Sequence, residues 1–498
     1  SNTIKPDLLQ DLLPGTVEMS LAYSSLPEFD VPNLLKNITR YPYGCAEQTT
    51  STAMPLLYLN QVSSALGLGQ DAALRGRVQN ALDKLAAMQR KDGGFGIWSA
   101  ADNYEVWLTS YITDFMSRAQ SLSYKVSNNV LDGLYSRLQL TLKDSYVQER
   151  DLAARSYAIY MLARAGKVDA ADVRYFYDTW FNKLTTRLAR TQIAAALKLV
   201  GDEQRSTAAT ARINGPRTWE ANYAYDYGSD LRDDAAVITL LAEHKLEAAG
   251  DVLALSTDLA RVRTGRYWLS TQEMSWMLLA ANALMKDRDS TLNLTVGHDA
   301  VQQSKPYYRT LPEGSSELMV KNNAEKDVFQ TITMSGVPTT PQPAEANDFT
   351  LTREFYKPDG TRTTLEGVKQ NDLIVVVLSG RSHANATQQV MLVDMLPAGF
   401  ELENTRIAGN ASTLGSLGWL GDNLTVADNT EFRSDRFVAA LNMGPFYYSS
   451  SYDFRIAYVM RAVTPGTFSL PGSYVEDMYQ PARHARTESG MVTISAAQ

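Results

Sequence analysis

The spacing of apolar residues changes once along this chain of 498 residues, near residue 290. Between about Val31 and Lys286, apolar residues recur every three or four positions, which is typical of amphipathic helices. From about Ser290 onward they alternate with polar residues, which is typical of strands. The sequence therefore predicts a large helical domain followed by β-structure.

The helical part contains segments that each carry one apolar face, separated by turns rich in Gly, Asp and Asn. Roughly ten to a dozen antiparallel helices of this kind form an array that can close into a ring, the α/α toroid. The clearest segments are Ala73–Arg90, Tyr104–Arg118, Ala153–Ala165, Thr191–Leu199, Asp234–His244 and Met274–Met285. In the glycine turn after the first of them, Phe95 and Trp98 can fill the gap between helix pairs or be ordinary core residues.

Strand signals lie on both sides of the helices. Gly15–Ser24 alternates apolar and polar residues but has no partner before the helices begin, so it is predicted to pair with later strands. Those are predicted at Leu292–Val296, Leu318–Lys321 and Phe329–Met334. This arrangement makes the helical domain an insert in a β-sandwich. A proline-rich linker, Val337–Ala344, then leads to strands and turns that predict a second antiparallel sandwich.

The only cysteine of the chain lies in the run Tyr41-Pro-Tyr-Gly-Cys-Ala-Glu-Gln-Thr-Thr50. The thiolate of Cys45 can displace ammonia from the side-chain amide of Gln48, three positions later, and form an internal thioester. A lysine amine that attacked this thioester would become bonded to the Gln48 acyl carbon and would release the thiol. The alternative is that Cys45 is a small buried hydrophobic residue, as most lone cysteines are.

This run resembles the Cys-x-Glu-Gln thioester motif of the alpha-2-macroglobulin and complement thioester proteins, and its aromatic lead-in resembles the bacterial alpha-2-macroglobulins most. The resemblance implies a covalent protease trap that reacts once with a lysine of its target, with no cofactor, rather than a turnover enzyme. It also implies boundaries: a tag remnant and CUB-like strand at residues 1–30, an α/α toroid thioester domain at 31–288, CUB-like strands at 289–340 and a macroglobulin-like sandwich at 341–498.

The site is expected to consist of Cys45 and Gln48, with Gly44 and Glu47 in supporting roles. Glu47 can be catalytic, or a solvated or capping carboxylate at the start of a helix. A thioester is lost to water unless it is shielded. The expected shielding residues are Tyr41 and Tyr43 beside the motif and Met478 and Tyr479 in the last domain, although the last two can instead be ordinary strand residues.

Some complement relatives use a histidine to redirect transfer to hydroxyl groups. No histidine lies between Cys45 and His244 here, which predicts direct transfer to amines. The four histidines and single cysteine cannot build a Cys/His metal cluster. The net charge of −8, without a basic cluster, makes nucleic acid an unexpected partner.

Two other classes of function remain open. The run Gly93–Gly96 also resembles terpene cyclases and prenyltransferases, so the chain could be a toroid enzyme acting on lipid or polysaccharide. However, the best match to a cyclase acid motif, Asp230–Asp234, has the wrong spacing and is interpreted as a solvated turn before a helix. Alternatively, the chain is a noncovalent binding module in which Cys45 stays a thiol.

One cysteine alone favours the cytosol, whereas the motif favours an exported protein that avoids a second thiol. The resemblance implies the bacterial periplasm, with an inner-membrane lipid anchor upstream of this chain and a further partner in peptidoglycan synthesis. No secretory signal or membrane-spanning run is present. The opening Ser1-Asn2, without Met, indicates a cleaved tag on an excised fragment.

Overall fold

The computed structural model describes residues 2–4, 11–24, 30–40, 44–58, 73–214, 226–246, 252–264, 266, 268–286, 291–303, 306–311, 317–403, 417–421, 423–445 and 450–497. The chain divides into two compact units, residues 1–339 and 340–498. The division falls within the predicted proline-rich linker. The named domain boundaries given above remain predictions.

The described part of the first unit contains twelve α-helices, which form the predicted ring. Their bounds are α1 Val31–Arg40, α2 Ala46–Leu56, α3 Leu74–Met88, α4 Val106–Ser121, α5 Asn128–Lys143, α6 Leu152–Arg164, α7 Ala170–Trp180, α8 Arg187–Leu199, α9 Glu203–Thr210, α10 Asp230–His244, α11 Val252–Thr264 and α12 Thr271–Lys286.

The even-numbered helices form the inner layer of the ring. Helix α2 packs against α4, α4 against α6, and so on through α8, α10 and α12, and α12 packs back against α2. Odd-numbered helices pack outside them, for example α3 on α2 and α9 on α8. Inner helices are buried nearly all round: in α4, residues from Trp107 to Met116 are all buried. The α/α toroid predicted from the sequence is confirmed.

The inner helices run parallel to one another. Arg187 at the start of α8 pairs with Asp234 at the start of α10, and Lys198 at the end of α8 donates to the carbonyl oxygen of Lys245, just past α10. At the C-terminal end of α4, Arg118 likewise pairs with Glu243 at the C-terminal end of α10. One end of the ring therefore collects the N-termini of the inner helices.

The loop after α3 is shaped by glycine. Gly93 has a φ of +86°, and a Cβ at this position would lie 2.3 Å from the carbonyl oxygen of Gly133 on α5. Both the left-handed backbone and the close approach require glycine. The turn directs Phe95 into the core, where it is fully buried, whereas Trp98 is only half-buried and Trp268 is 42% exposed.

Strands before and after the helices form a small sandwich, as predicted. Its strands are β1 Asn2–Ile4, β2 Glu18–Ser24, β3 Leu292–Val296, β4 Asp299–Gln303, β5 Tyr307–Leu311, β6 Leu318–Asn322 and β7 Phe329–Ser335. One sheet has the order β1-β6-β3-β4 and the other β5-β2-β7. Strand β2 pairs antiparallel with both β5 and β7. The pairing predicted for Gly15–Ser24 is therefore confirmed, whereas β1 was not predicted.

The described strands of the second unit form a larger β-sandwich. They are β8 Glu345–Asn347, β9 Phe349–Tyr356, β10 Arg362–Thr363, β11 Val368–Lys369, β12 Leu373–Ser382, β13 Gln388–Met395, β14 Phe400–Leu402, β15 Asn429–Phe432, β16 Arg436–Pro445, β17 Ser450–Ser451, β18 Asp453–Ala462, β19 Gly466–Leu470, β20 Tyr474–Asp477, β21 His484–Arg486 and β22 Gly490–Ser495. Among these strands, all pairs are antiparallel except β11 with β22. Leu378 and Tyr458 from one sheet and Leu392 and Phe437 from another share one buried core. Among the described residues, no helix combines the length and hydropathy that a bilayer crossing requires.

Candidate functional site

Cys45 lies at the N-cap of α2, at the end of the ring where the inner helices begin. Its Sγ atom accepts a hydrogen bond from the backbone N–H of Gln48 at 3.3 Å, which is a capping contact. Cys45 and Gln48 are both completely buried. The two residues predicted to form the thioester are thus neighbours in the first turn of one helix, shielded from water.

The side-chain oxygen Oε1 of Gln48 is buried and has no hydrogen-bond partner among the described residues. A buried amide oxygen left in this state costs about 1–3 kcal/mol. Such an unpaired group is uncommon in folded proteins and requires an explanation. The predicted conversion of the amide to a thioester would supply one, because a thioester carbonyl is a weaker acceptor than an amide carbonyl.

The thiol of Cys45 is held in its neutral form. Burial raises the pKa of the Cys45 thiol well above its ordinary range, and the negative charge of Glu47 is the second largest cause. The start of a helix normally lowers a thiol pKa, so here burial and Glu47 outweigh the helix. The exposed Lys84 on α3 acts in the opposite direction and lowers this pKa.

Glu47 is fully buried, and it is therefore not the solvated carboxylate that was one expectation. Ser51, one turn along α2, donates a hydrogen bond to it. Two residues at the start of α12 do the same: Thr271 at 3.1 Å and Gln272 at 2.7 Å. The glutamate therefore joins the thioester segment to the last inner helix.

A hydrogen-bonded network continues from Glu47 into the ring. The hydroxyl of Tyr111 on α4 lies 3.0 Å from Ser51 Oγ and 3.1 Å from Ser275 Oγ on α12. Gln272 also accepts from the indole N–H of Trp276 at 3.3 Å. Three inner helices are thus linked around the motif.

Helix α12 begins with a capping box that fixes Gln272. The backbone N–H of Glu273 donates to Ser270 Oγ at 3.2 Å, and the Glu273 carboxylate accepts from the N–H of Ser270 at 2.9 Å. The roles of Thr271, Gln272 and Ser275 were not predicted. Their polar side chains at positions i, i+1 and i+4 of a helix that is apolar from Trp276 to Ala281 are the signal that could have revealed them.

The loop after α3 closes the site from the side. The carbonyl oxygen of Ile97 accepts from the backbone N–H of Ala46 at 2.8 Å, which is one of the donors that a helix leaves free at its start. In the same loop, the carbonyl oxygen of Phe95 accepts a hydrogen bond from the backbone N–H of Glu105 at 2.9 Å. The glycine turn thus holds the motif in place.

The other predicted residues are spread over the chain. Gly44 directly precedes Cys45 and is partly buried. Tyr41 and Tyr43 lie outside the described residues. Met478 and Tyr479 belong to the second unit, where they form a buried turn after β20 rather than part of a strand.

The acidic run at Asp230 is the start of α10, as predicted, but it is only partly solvated, because Asp230 is exposed whereas Asp233 is buried. Arg232 is fully buried and pairs with Asp226 and Asp233 at 3.1 and 2.7 Å. The prediction of a solvated turn therefore fits Asp230 and is wrong for Asp233, which the buried arginine neutralises inside the ring. No group of three His, Cys, Asp or Glu side chains in the described part of the chain is arranged to hold a metal ion.

Two protein-family models match this chain. The A-macroglobulin TED domain matches residues 16–136, and the bacterial alpha-2-macroglobulin MG10 domain matches residues 349–482. The first match contains the Cys45–Gln48 segment, and the second covers most of the second unit.

Known relatives match nearly the whole chain. Alpha-2-macroglobulin of Escherichia coli strain K12 is 32% identical over 96% of this chain, which spans only 30% of that relative's length. The crystal structure of native Escherichia coli alpha-2-macroglobulin from domain MG7 to the C-terminus superimposes with a TM-score of 0.89. It has 30% identity and covers 99% of this chain and 80% of that one.

The crystal structure of Salmonella alpha-2-macroglobulin reacted with methylamine gives a TM-score of 0.87 at 29% identity, over 99% of this chain and 33% of that one. Both units, and the order of the helical and β parts, are therefore shared with these proteins. This chain belongs to the bacterial alpha-2-macroglobulin family.

Proposed function

We propose that this chain is the thioester-bearing part of a covalent protease trap. An internal thioester between Cys45 and Gln48 would acylate a lysine amine of an attacking protease once it became exposed. The observation that carries the proposal is the burial of Cys45 beside Gln48, whose amide oxygen has no partner. The Salmonella relative that reacted with methylamine supports the same chemistry.

The chemistry balances without a cofactor. In closure, Cys45 sulfur bonds to the Gln48 side-chain carbon, and ammonia leaves with the thiol proton. In transfer, an amine nitrogen bonds to that carbon, the carbon–sulfur bond breaks, and the sulfur takes up a proton lost by the amine. Each chain reacts once, so the activity is inhibition rather than turnover.

Amines are the expected nucleophiles because no histidine lies in the sequence between Cys45 and His244 to relay the acyl group. Among the described residues, the nearest histidine in sequence after Cys45 is His244, at the end of α10 and bonded to Tyr160. The inner helices are parallel and α10 has 15 residues. At about 1.5 Å per residue, His244 therefore lies roughly 20 Å from the thioester end of the ring.

The setting of the parent protein remains part of the proposal. Because the chain spans about 30% of the Escherichia coli relative, the choice of protease is assigned to the rest of the parent. The periplasmic location, the lipid anchor outside this chain and the partner in peptidoglycan synthesis stay predictions from the family resemblance. So does shielding by Tyr41, Tyr43, Met478 and Tyr479.

Intact mass and thiol titration test the proposal directly. The purified chain should be lighter than its sequence by one ammonia molecule and should show no free thiol. Methylamine should add to Gln48 and release one thiol per chain. Cys45→Ala should abolish the mass loss and the labelling, and Cys45→Ser is the matched control that keeps a polar cap without a thiol. Covalent labelling of Gln48 in the Ala variant would contradict the mechanism.

A further inference from the structure

Three arginines lie close together on the inner helix α8 and the segment that follows α9. Arg187 and Arg190 are the first and fourth residues of α8, so their side chains are neighbours on the helix surface. Arg212 lies just beyond the end of α9, the outer helix that packs on α8. The first turn of α8 contains no acidic residue. Positive charge is therefore concentrated at one position of the ring.

Arg190 and Arg212 are both anchored to the short segment between α7 and α8. Nη2 of Arg190 donates a hydrogen bond to the carbonyl oxygen of Leu184 at 2.6 Å. Arg212 donates to Oδ1 of Asn182, and its guanidinium group lies 5.1 Å from the centre of the Phe181 ring. Because both arginines contact the same few residues, their guanidinium groups are held near each other.

The positive charge of this cluster is only partly neutralised. Arg187 pairs with Asp234 at the start of α10, at 2.8 Å. Among the described residues, no acidic side chain is bonded to Arg190 or Arg212. Burial, followed by the charges of Arg212 and Arg187, lowers the pKa of Arg190, and no described acidic group opposes this effect. Arginine stays protonated in proteins, so the folded chain retains the repulsion.

One nitrogen of Arg190 is buried without a hydrogen-bond partner. Its Nη1 atom is shielded from water, and no acceptor in the described part of the chain is bonded to it. Buried polar groups are nearly always paired, so an unpaired donor requires an explanation. Arg190 as a whole is half-buried and Arg212 is exposed. An ion from solvent can therefore reach this nitrogen if the flexible Arg212 side chain moves aside.

An oxyanion supplies both of the things that the cluster lacks. Its oxygen atoms accept hydrogen bonds, and the planar fork of a guanidinium group matches a carboxylate or a phosphate. Its negative charge offsets the repulsion among the arginines. A neutral ligand would supply the acceptor but not the charge, so the cluster selects for an anion.

We propose that Arg187, Arg190 and Arg212 form a binding site for one small oxyanion of the phosphate or carboxylate type. Nη1 of Arg190 would donate to the ion, and Arg212 would cover it on the solvent side. Because α8 is three inner helices away from α2 in the ring, the site lies across the ring from Cys45. The proposal does not depend on the thioester chemistry.

Calorimetric titration of the full chain with inorganic phosphate at neutral pH tests this site. The ionic strength is held constant because salt screens exposed charges. The wild type should bind one phosphate per chain. Arg190→Gln removes the charge and the fork, and it should weaken binding about tenfold or more. Arg190→Lys keeps the charge but loses the fork, and it should weaken binding about three- to tenfold.

Arg205→Gln is the matched control for these variants. Arg205 lies on α9 and is already paired with Asp178 and Asp202, both at 3.2 Å. Its replacement should therefore change the affinity by less than about twofold, as expected for an exposed pair. Equal weakening in Arg205→Gln and Arg190→Gln would show a general attraction to the basic surface and would overturn the proposed site.

Titration with acetate distinguishes the two kinds of oxyanion. Binding of phosphate without acetate identifies a phosphate site, and similar affinities identify a carboxylate site. Either result supports the proposal when Arg190→Gln weakens the binding. Failure of both anions to bind the wild type at low millimolar concentration, or equal affinities in the wild type and Arg190→Gln, would overturn it.

Thermal unfolding provides an independent measurement of the same site. A ligand that binds only the folded state stabilises it, so phosphate should raise the Tm of the wild type and not that of Arg190→Gln. If Arg190→Gln does not fold, the exposed Arg212→Gln replaces it and should bind phosphate about threefold more weakly. Unchanged affinity in Arg212→Gln would then refute the cluster as the site.

Discussion

The charge of the buried residue Asp114 is stabilised by side chains from two inner helices of the ring, α4 and α6. It is fully buried on α4, with Arg118 at 2.7 Å and Arg164 both bound to its Oδ1 atom, and Tyr157 donates to its Oδ2 atom at 2.8 Å. Burial alone would raise the pKa of Asp114, but the two arginines outweigh burial and hold the pKa at about 2. The carboxylate therefore stabilises the fold only while it is ionised and paired.

Replacement of Asp114 by Asn should lower the free energy of unfolding at neutral pH by about 3–5 kcal/mol, because it removes the counter-charge of the partly buried Arg164 and leaves the buried Arg118 with Glu243 alone. Asp178→Asn is the control, since its pair with Arg205 is exposed and should contribute less than about 1 kcal/mol. Urea unfolding of both variants provides the comparison.

The stabilisation that Asp114 provides should decrease as the pH falls. The pKa of Asp114 is lowered in the folded state, so its contribution is complete above the ordinary carboxyl value of 3.8 and is lost as the pH falls toward about 2. The difference in the free energy of unfolding between the wild type and Asp114→Asn should become smaller across that pH range. A difference that stayed constant would show that Asp114 acts through packing alone.

At this scale, the sequence indicated a candidate pair of reacting residues but not its surroundings. Cys45 and Gln48 stand out because a local motif of adjacent residues would carry the proposed chemistry. One partner of Glu47 on α12, Thr271, lies 224 positions later, and only the closure of the ring brings the two together. Arg232 was misinterpreted for the same reason, because burial of a charged run depends on contacts that are remote in sequence.

The loop between α3 and α4 is the element that couples the ring to the thioester segment. Its glycine turn at Gly93 sets the course of the chain, and Ile97 then bonds the first N–H of α2. Helices with an amphipathic face were predictable because their pattern is local. This coupling was not, because it depends on the close approach of Gly93 to Gly133 on α5.

Gly93→Ala should therefore destabilise the first unit and disturb the site. The added methyl group would lie 2.3 Å from a backbone oxygen, at a left-handed φ. Gly166→Ala is the matched control, because Gly166 also has a positive φ, +64°, but nothing lies within 4 Å of its Cβ position. Gly166→Ala should lower the free energy of unfolding by about 1–2 kcal/mol. Gly93→Ala should lower it by about 1–3 kcal/mol more.

Thermal unfolding measures that difference, and the rate of methylamine labelling measures the effect on the motif. Labelling should be faster in Gly93→Ala and unchanged in Gly166→Ala. Equal unfolding free energies in the two variants would mean that the contact with Gly133 relaxes without cost and that the loop does not hold α2.

At the scale of the whole molecule, Met478 and Tyr479, the residues predicted to cover the proposed thioester from the last domain, belong to the second unit. Met478 and Tyr479 are buried in their turn, where the N–H of Met478 donates to the carbonyl oxygen of Gln389 at 2.8 Å and the N–H of Tyr479 to Asp477 at 3.0 Å. The turn is thus well defined within the second unit. Its role as a lid over Cys45 remains a prediction from the sequence.

If the lid exists, replacing Met478 and Tyr479 together by Ala should speed hydrolysis and amine labelling about tenfold, which corresponds to roughly 1.4 kcal/mol of lost shielding. Met491→Ala is the control from the same unit, since Met491 is 65% exposed, and it should leave both rates unchanged. Intact mass measured over time gives the rate of hydrolysis, as the species that is lighter by one ammonia molecule disappears. Equal rates in all three chains would remove the pair from the mechanism.

The pairing of β2 with β5 and β7 also determines the order in which the first unit can fold. These strands are separated in sequence by the entire helical domain, so an unfolded chain would have to close a very long loop to join them. Contacts between successive helices are local and form sooner. Once the ring has closed, it brings its own two ends together and shortens that loop. We therefore expect the helical ring to form first and to serve as the template for the sandwich, and a chain that fails to close the ring to leave β2 as an unpaired, aggregation-prone strand.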